Sequence, residues 1–215
     1  MRIAVITGGP IPDDASVIVS CCDKVICADS GVDFCLKHGI VPDTVYGDLD
    51  SISEEGIDFV EKRSIPLEKH PSHKDETDTD IALSACPYDS EVVLVCSLTG
   101  RLDHVITNMG LLIKYKESGM DITATDGVTD VIPLVGEDRI AVEGISGNQT
   151  AVSLIPFATD HVTGLTTENL IYPLKDATVE AASSLYVSNE PSEGSRGFAV
   201  SMKTGRLLIV ISPSL

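Results

Sequence analysis

The sequence predicts an α/β protein: an open parallel α/β sheet over residues 1–125, followed by an all-β unit over residues 126–215. Two observations carry this. Through the first half, continuous apolar runs alternate with segments of helical period, the pattern of strands buried on both faces with helices between them. From about residue 120 the chain shows only short β-rich runs separated by turn residues, and no long helical pattern. A length of 215 residues fits one large domain or two small ones.

The elements follow in order. Residues 2–7 form an apolar run closed by Gly8-Gly9-Pro10, a buried strand and a tight turn. Residues 24–28 form a second run, ending at Asp29-Ser30-Gly31. A helix over 31–38 is stopped by Gly39 and Pro42. A third strand, 44–46, delivers the chain to Gly47-Asp48. A polar helix over 53–62, a strand at 65–69, a helix over 78–85 and a strongly apolar strand at 91–96 come next. Residues 103–117 carry Val105, Met109, Leu112 and Ile113 at helical spacing. The β-rich runs are 121–125, 128–135, 139–143, 150–157, 161–167, 184–188, 197–203 and 206–212. Gly136-Glu137-Asp138, Ser146-Gly147-Asn148 and Thr204-Gly205 separate some of them, and the last pair reads as a hairpin. An antiparallel sandwich or a partly closed barrel is expected here.

Composition narrows the partners. The net charge is −18, which repels nucleic acid and anionic membranes and attracts cations. Six cysteines show no C-x-x-C and no zinc spacing, so buried free thiols in a reducing compartment are expected. The N-terminal apolar run is too short for a signal peptide and no stretch approaches a membrane span. The expected location is cytoplasmic.

Chemistry concentrates in three places. Gly47-Asp48-Leu49-Asp50-Ser51 puts two carboxylates one residue apart just past a strand, where open α/β sheets bind ligands. Lys74-Asp75-Glu76-Thr77-Asp78-Thr79-Asp80 adds more, with Asp75 and Asp78 on one face of a helix start. So many anions share a cleft only if a cation holds them, and Mg²⁺ takes one or two carboxylates plus phosphate oxygens. The same residues also suit a plain Asp-Gly turn and helix capping, by Asp75 with Asp78 or by Thr77 with Asp80. Ser97-Leu98-Thr99-Gly100-Arg101-Leu102-Asp103-His104 joins a strand end, a glycine and an arginine fork to a helix start, a phosphate cradle. Gly8-Gly9 lets the backbone approach a nucleotide, although neither a Walker A loop nor G-x-G-x-x-G is present.

These blocks resemble the thiamine pyrophosphokinase (thiamine diphosphokinase) family. The resemblance runs through Ala28-Asp29-Ser30-Gly31, Pro42-Asp43, Gly47 to Ile52, Lys74 to Asp78 with Ala82-Leu83, Gly100 to His104 with Asn108, Ser153 to Pro156, Tyr172-Pro173-Leu174 and Ser188-Asn189. It implies an N-terminal α/β nucleotide-binding domain, a C-terminal β-sandwich for thiamine binding and dimerisation, and a homodimer with thiamine sites between subunits. It implies Mg²⁺-dependent transfer of pyrophosphate from ATP to the hydroxyl of thiamine, releasing AMP. Asp48, Asp50 and Asp78 are then the metal ligands, and Asp75 orients the metal or the acceptor. The ATP contacts are Gly8, Gly9, Asp29, Ser30, Gly31, Thr99, Gly100, Arg101 and His104. Thiamine meets Tyr172, Ser188 and Asn189. Two departures stand out: the family usually has two glycines after Ala-Asp, where this chain has Ser30 and then Gly31, and Asn169 replaces a further glycine. Tyr172 supplies the aromatic face that animal members draw from a tryptophan. Rival readings are a hydroxymethylpterin diphosphokinase, a nucleotide-sugar transferase using Asp48-Leu49-Asp50, and a non-catalytic nucleotide or thiamine sensor.

Overall fold

A computed structural model describes residues 1–70, 75–145 and 149–214. Lys74 and the turn Ser146-Gly147-Asn148 lie outside the described residues. The chain divides into two compact units, Met1–Leu111 with Ser118–Val128, and Leu112–Glu117 with Thr129–Leu215.

The first unit holds β1 (Arg2–Ile6), α1 (Ala15–Ser20), β2 (Lys24–Ala28), α2 (Gly31–His38), β3 (Thr44–Gly47), α3 (Glu54–Arg63), β4 (Leu67–Lys69), α4 (Asp78–Ser84), β5 (Glu91–Val95), most of α5 (Leu102–Glu117) and β6 (Asp121–Thr125). Its strands lie in the order β4-β3-β2-β1-β5-β6, every pair parallel. The chain first winds outward from β1 through β2, β3 and β4, then crosses back to β5. The reversal falls between β1 and β5, the place where such sheets open a crevice at their carboxyl ends. β1, β2 and β5 each bury four of five residues, which is why they read as unbroken apolar runs.

Helix α1 has no counterpart among the predicted elements. Its Ala-Ser-Val-Ile-Val-Ser sequence is poor in helix formers. Burial of Ala15 and Val19 against the core decides it. Residues 121–125, expected to open the β-rich half, form a sixth parallel strand beside β5.

The second unit is a sandwich, not a barrel. It contains β7 (Asp130–Val135), β8 (Asp138–Glu143), β9 (Thr150–Pro156), β10 (His161–Glu168), β11 (Ala177–Glu180), β12 (Gly197–Met202) and β13 (Arg206–Pro213). β7-β13-β9 and β11-β10-β12-β8 are both antiparallel. Leu134, Leu154, Leu207 and Ile209 of the first layer meet Val162, Leu165, Phe198 and Val200 of the second in one core.

Two expectations fail here. Thr204-Gly205 does not close a hairpin: β12 pairs with β10 and β8, while β13 pairs with β7 and β9. The turn carries the chain between layers, because both strands alternate apolar residues toward the same core and a direct pairing would leave one layer short. Residues 184–188 form no strand. The chain there is turned: Ser188 has φ 59, Leu185 is 82% exposed and Val187 is exposed, and only Tyr186 packs against the core. The strand is instead Ala177–Glu180, which buries only Val179 fully.

All six cysteines are free. Burial pushes the Cys86 thiol up to about 11 and the Cys96 thiol up to about 12, and it raises Cys27 well above the ordinary range. Thiolate, not thiol, reacts with iodoacetamide. Brief alkylation of the native protein at neutral pH is therefore expected to label Cys21, the exposed thiol, well ahead of Cys27, Cys86 and Cys96. Peptide mass spectrometry checks this.

Candidate functional site

The carboxylate cluster is built by two adjacent strand ends. In the β2–β3 register Ala28 faces Tyr46, so Asp29 leaves β2 beside Gly47, and its amide donates to the Tyr46 carbonyl at 2.7 Å. Gly47 has no side chain because Asp29 lies against it; a Cβ there would stand 3.2 Å from Asp29 Cα. Asp48 and Asp50 follow. Between them Leu49 takes φ 74 and packs on the core of the first unit. This left-handed residue anchors the loop inward while its acidic neighbours face outward. The Asp50 amide donates to Asp48 Oδ1 at 3.2 Å, and Ser51 Oγ donates to Asp50 Oδ1 at 3.0 Å.

The loop is fastened at its far end. Ser53 caps α3 by accepting from the Gly56 amide at 2.9 Å, and its own hydroxyl donates to Asp33 Oδ1 of α2 at 2.6 Å. Such a cap is worth about 1 kcal/mol, and here it also ties the loop to the helix that follows Asp29.

Ligand atoms of Asp29, Asp48 and Asp50 lie within 4.8 Å of one another. Asp29 Oδ1 is buried without a hydrogen-bond partner. Partial burial raises the Asp29 pKa, and the charges of Asp78 and Asp48 push the same way; the Ser30 amide and the Ser51 hydroxyl oppose them. An orphaned carboxylate oxygen facing two more carboxylates is the donor set of a hard divalent cation such as Mg²⁺. Asp29 was legible as a nucleotide contact but not as a member of this set. Its signal is an Asp after each of two apolar runs, useful only once those strands are known to be neighbours.

A cleft of about 480 Å³ opens from this cluster at the carboxyl ends of β1, β2, β3 and β5. Gly8, Gly9, Asp29, Ser30, Asp48, Asp78, Thr99, Arg101 and His104 line it together with Thr7, Ser51, Glu76, Ser97 and Asn108. Asp50 stands exposed beside it, within the carboxylate set. Gly31 lies buried at the start of α2, and Gly100 holds the β5–α5 turn with φ 87. Asp75 is exposed and is not among the lining residues. Of the two capping schemes open for α4, the structure forms the second: Thr77 Oγ1 accepts from the Asp80 amide at 3.2 Å. Asp78 is then left in the first helical turn, lining the cleft.

Arg101 forms a fork to Asp103, Nη2–Oδ2 2.6 Å and Nε–Oδ1 3.2 Å, with both side chains largely exposed. The guanidinium holds the Asp103 carboxyl down at about 2. Asn108, buried at the floor, bonds the Cys96 thiol.

In the second unit Tyr172, Ser188 and Asn189 come together around β9. Asn189 is buried. Its Oδ1 accepts from the Tyr172 amide at 3.1 Å and the Glu190 amide at 2.9 Å, and its Nδ2 donates to the Tyr172 carbonyl at 2.8 Å. Ser188 donates its amide to Ser153 Oγ at 3.0 Å. Asn189 is thus a clasp that fixes residue 172, which is 72% exposed, while Ser188 ties the neighbouring segment to β9. Ile171, Leu185 and Val187 are exposed apolar residues in the same segments.

Comparison with known proteins accounts for nearly the whole chain. Residues 16–124 match the family model "Thiamin pyrophosphokinase, catalytic domain", and residues 137–207 match "Thiamin pyrophosphokinase, vitamin B1 binding domain". The chain is similar to thiamine pyrophosphokinase of Bacillus subtilis, 32% identical over 208 residues, which covers 92% of this chain and 94% of the relative. It resembles the crystal structure of thiamine pyrophosphokinase from Bacillus subtilis with a TM-score of 0.84 at 27% identity, each chain covered fully. The structure from Geobacillus thermodenitrificans gives a TM-score of 0.81 at 25% identity, covering 100% of this chain and 98% of that one.

Proposed function

Because the chain belongs to the thiamine pyrophosphokinase family, we infer that it transfers the pyrophosphoryl group of ATP to the hydroxyl of thiamine, giving thiamine diphosphate and AMP. One observation carries the reading at this chain's own residues: Asp29, Asp48, Asp78, Arg101 and His104 line one cleft at the switch point of a parallel sheet.

Asp29, Asp48 and Asp50 would hold Mg²⁺, with Asp78 close enough for its charge to act on Asp29. Bound there, the ion would neutralise phosphate oxygens as charge shifts toward the leaving AMP. The rest is positioning, as in other phosphoryl transfers. Gly9 leaves room for the nucleotide to approach the backbone. Thr99 and Gly100 shape the turn that presents Arg101 and His104. Arg101 exchanges its fork from Asp103 to phosphate oxygens, a like-for-like swap of one bidentate acceptor for another. Asp78 accepts the proton of the attacking hydroxyl.

Tyr172 offers an open aromatic face to the thiazolium cation, which the overall charge of −18 also draws in. Asn189 holds that residue in place, and Ser188 ties the same segment to β9 through Ser153. Tyr172→Ala is expected to raise KM for thiamine about tenfold, with KM for ATP unchanged; steady-state kinetics in both substrates checks it. The exposed Ile171, Leu185 and Val187 support a homodimer built on the second unit, and light scattering on Leu185→Asp tests it by loss of the dimer. Free, mostly buried thiols support a cytoplasmic setting. No helix among the described residues is long and apolar enough to cross a membrane.

The deciding assay supplies ATP, Mg²⁺ and thiamine and follows AMP and thiamine diphosphate together. Equal amounts of both are expected. AMP release driven by a hydroxymethylpterin in place of thiamine would overturn the acceptor.

A further inference from the structure

Ser30 occupies the capping position of α2 but does not cap it. A serine there ordinarily turns its oxygen onto the amide two or three residues ahead. Ser53 and Thr77, with extended backbones at ψ 157 and 158, do this for α3 and α4. Ser30 has φ −63 and ψ 1, and its side chain makes no capping bond. Among the described residues its hydroxyl has no hydrogen-bond partner, although it lines the cleft.

The hydroxyl has a definite place nevertheless. It lies over Gly8, so near that a Cβ on Gly8 would overlap it, while the remaining Ser30 atoms would stay 3.4 Å or more away. The backbone amide of the same residue bonds Asp29. A donor without a partner therefore stands against Gly8, on the residue next to Asp29 of the carboxylate cluster. A ligand that meets both must bring a cation to the carboxylates and an acceptor to the hydroxyl. A metal-bound phosphate chain is both.

We propose that the Ser30 hydroxyl donates to a phosphate oxygen of the nucleoside triphosphate, and that Gly8 lacks a side chain so that this hydroxyl keeps its rotamer. The assignment rests on the kinase reading and deepens it. It also gives the departure at position 30 a meaning, since a glycine there offers no such donor. Position 31 has no comparable latitude, because a Cβ on Gly31 would run into the Ile6 carbonyl.

The test is calorimetric binding of a non-hydrolysable ATP analogue with Mg²⁺, and of adenosine, to wild type, Ser30→Ala, Gly8→Ala and the double variant. Thermal melts of all four confirm folding. Ser30→Ala is expected to weaken the analogue about tenfold and leave adenosine unchanged, as for one hydrogen bond to a charged acceptor. Gly8→Ala, which forces the hydroxyl to rotate away, should weaken the analogue by a similar factor. The double variant should be no worse than either alone, the mark of two changes acting on one contact. Equal affinity of Ser30→Ala and wild type would overturn the assignment, as would an equal loss for adenosine or simple additivity. Failure of the wild-type protein to bind the analogue at all would instead overturn the kinase reading, and the assignment with it.

Discussion

Asp50→Asn is expected to lower turnover by about 10³-fold while the fold stays intact. The asparagine keeps the shape, and its oxygen still accepts from Ser51. Its amide nitrogen cannot act as an anionic ligand. Three carboxylates within 4.8 Å of one another repel when no cation is present. Removing one charge should therefore leave the melting temperature of the metal-free protein unchanged or higher, the usual exchange of stability for function at a site. Asp29→Asn should behave the same way, which separates the set containing Asp29 from a set of Asp48, Asp50 and Asp78 alone. The measurements are AMP release at saturating thiamine and thermal melts with and without Mg²⁺. Activity of Asp50→Asn within threefold of wild type would remove it from the metal site.

Gly31→Ala is expected to destabilise the protein by about 3 kcal/mol. Intrinsic propensity argues the opposite, since alanine at a helical position gains up to about 1 kcal/mol over glycine. Contact decides between them. An alanine Cβ would overlap the Ile6 carbonyl oxygen and stand 2.8 Å from its carbon, both backbone atoms of a fully buried strand that have nowhere to go. Relief requires α2 to lift from β1, which also disturbs Asp29 and Ser30. Urea unfolding of Gly31→Ala against wild type measures the loss. Ser30→Gly is the control, because it adds no atom and the hydroxyl it removes caps nothing.

The parallel sheet was legible because strands buried on both faces must be apolar along their buried length, and residues 3–6, 25–28 and 92–95 are, after one charged residue that opens each strand. The loop at Asp48 and Asp50 stood out only beside the blocks at Asp75 to Asp78 and Gly100 to His104, since glycine and paired aspartates after a strand also suit a plain turn. Signals that depend on a partner element were not. Thr204-Gly205 has the local chemistry of a hairpin whether its two strands pair with each other or with strands of different layers. Residues 184–188 alternate like a strand, but the segment is turned and only Tyr186 reaches the core. Helix α1 contradicts its own propensities and exists because two of its residues are buried.

By itself, then, the chain determined which residues are buried along each strand and which carry charge at the strand ends, because both depend on local pattern. It determined the family too, through blocks spread over both units. Strand order, and with it the meeting of Asp29 with Asp48 and Asp50, came only from the fold, since register joins residues 19 positions apart that no local rule relates. The same holds for Ser30. Whether a serine at a helix start caps its helix or faces a ligand depends on the backbone angle imposed by β1 packing against Gly31, and that contact appears only in three dimensions.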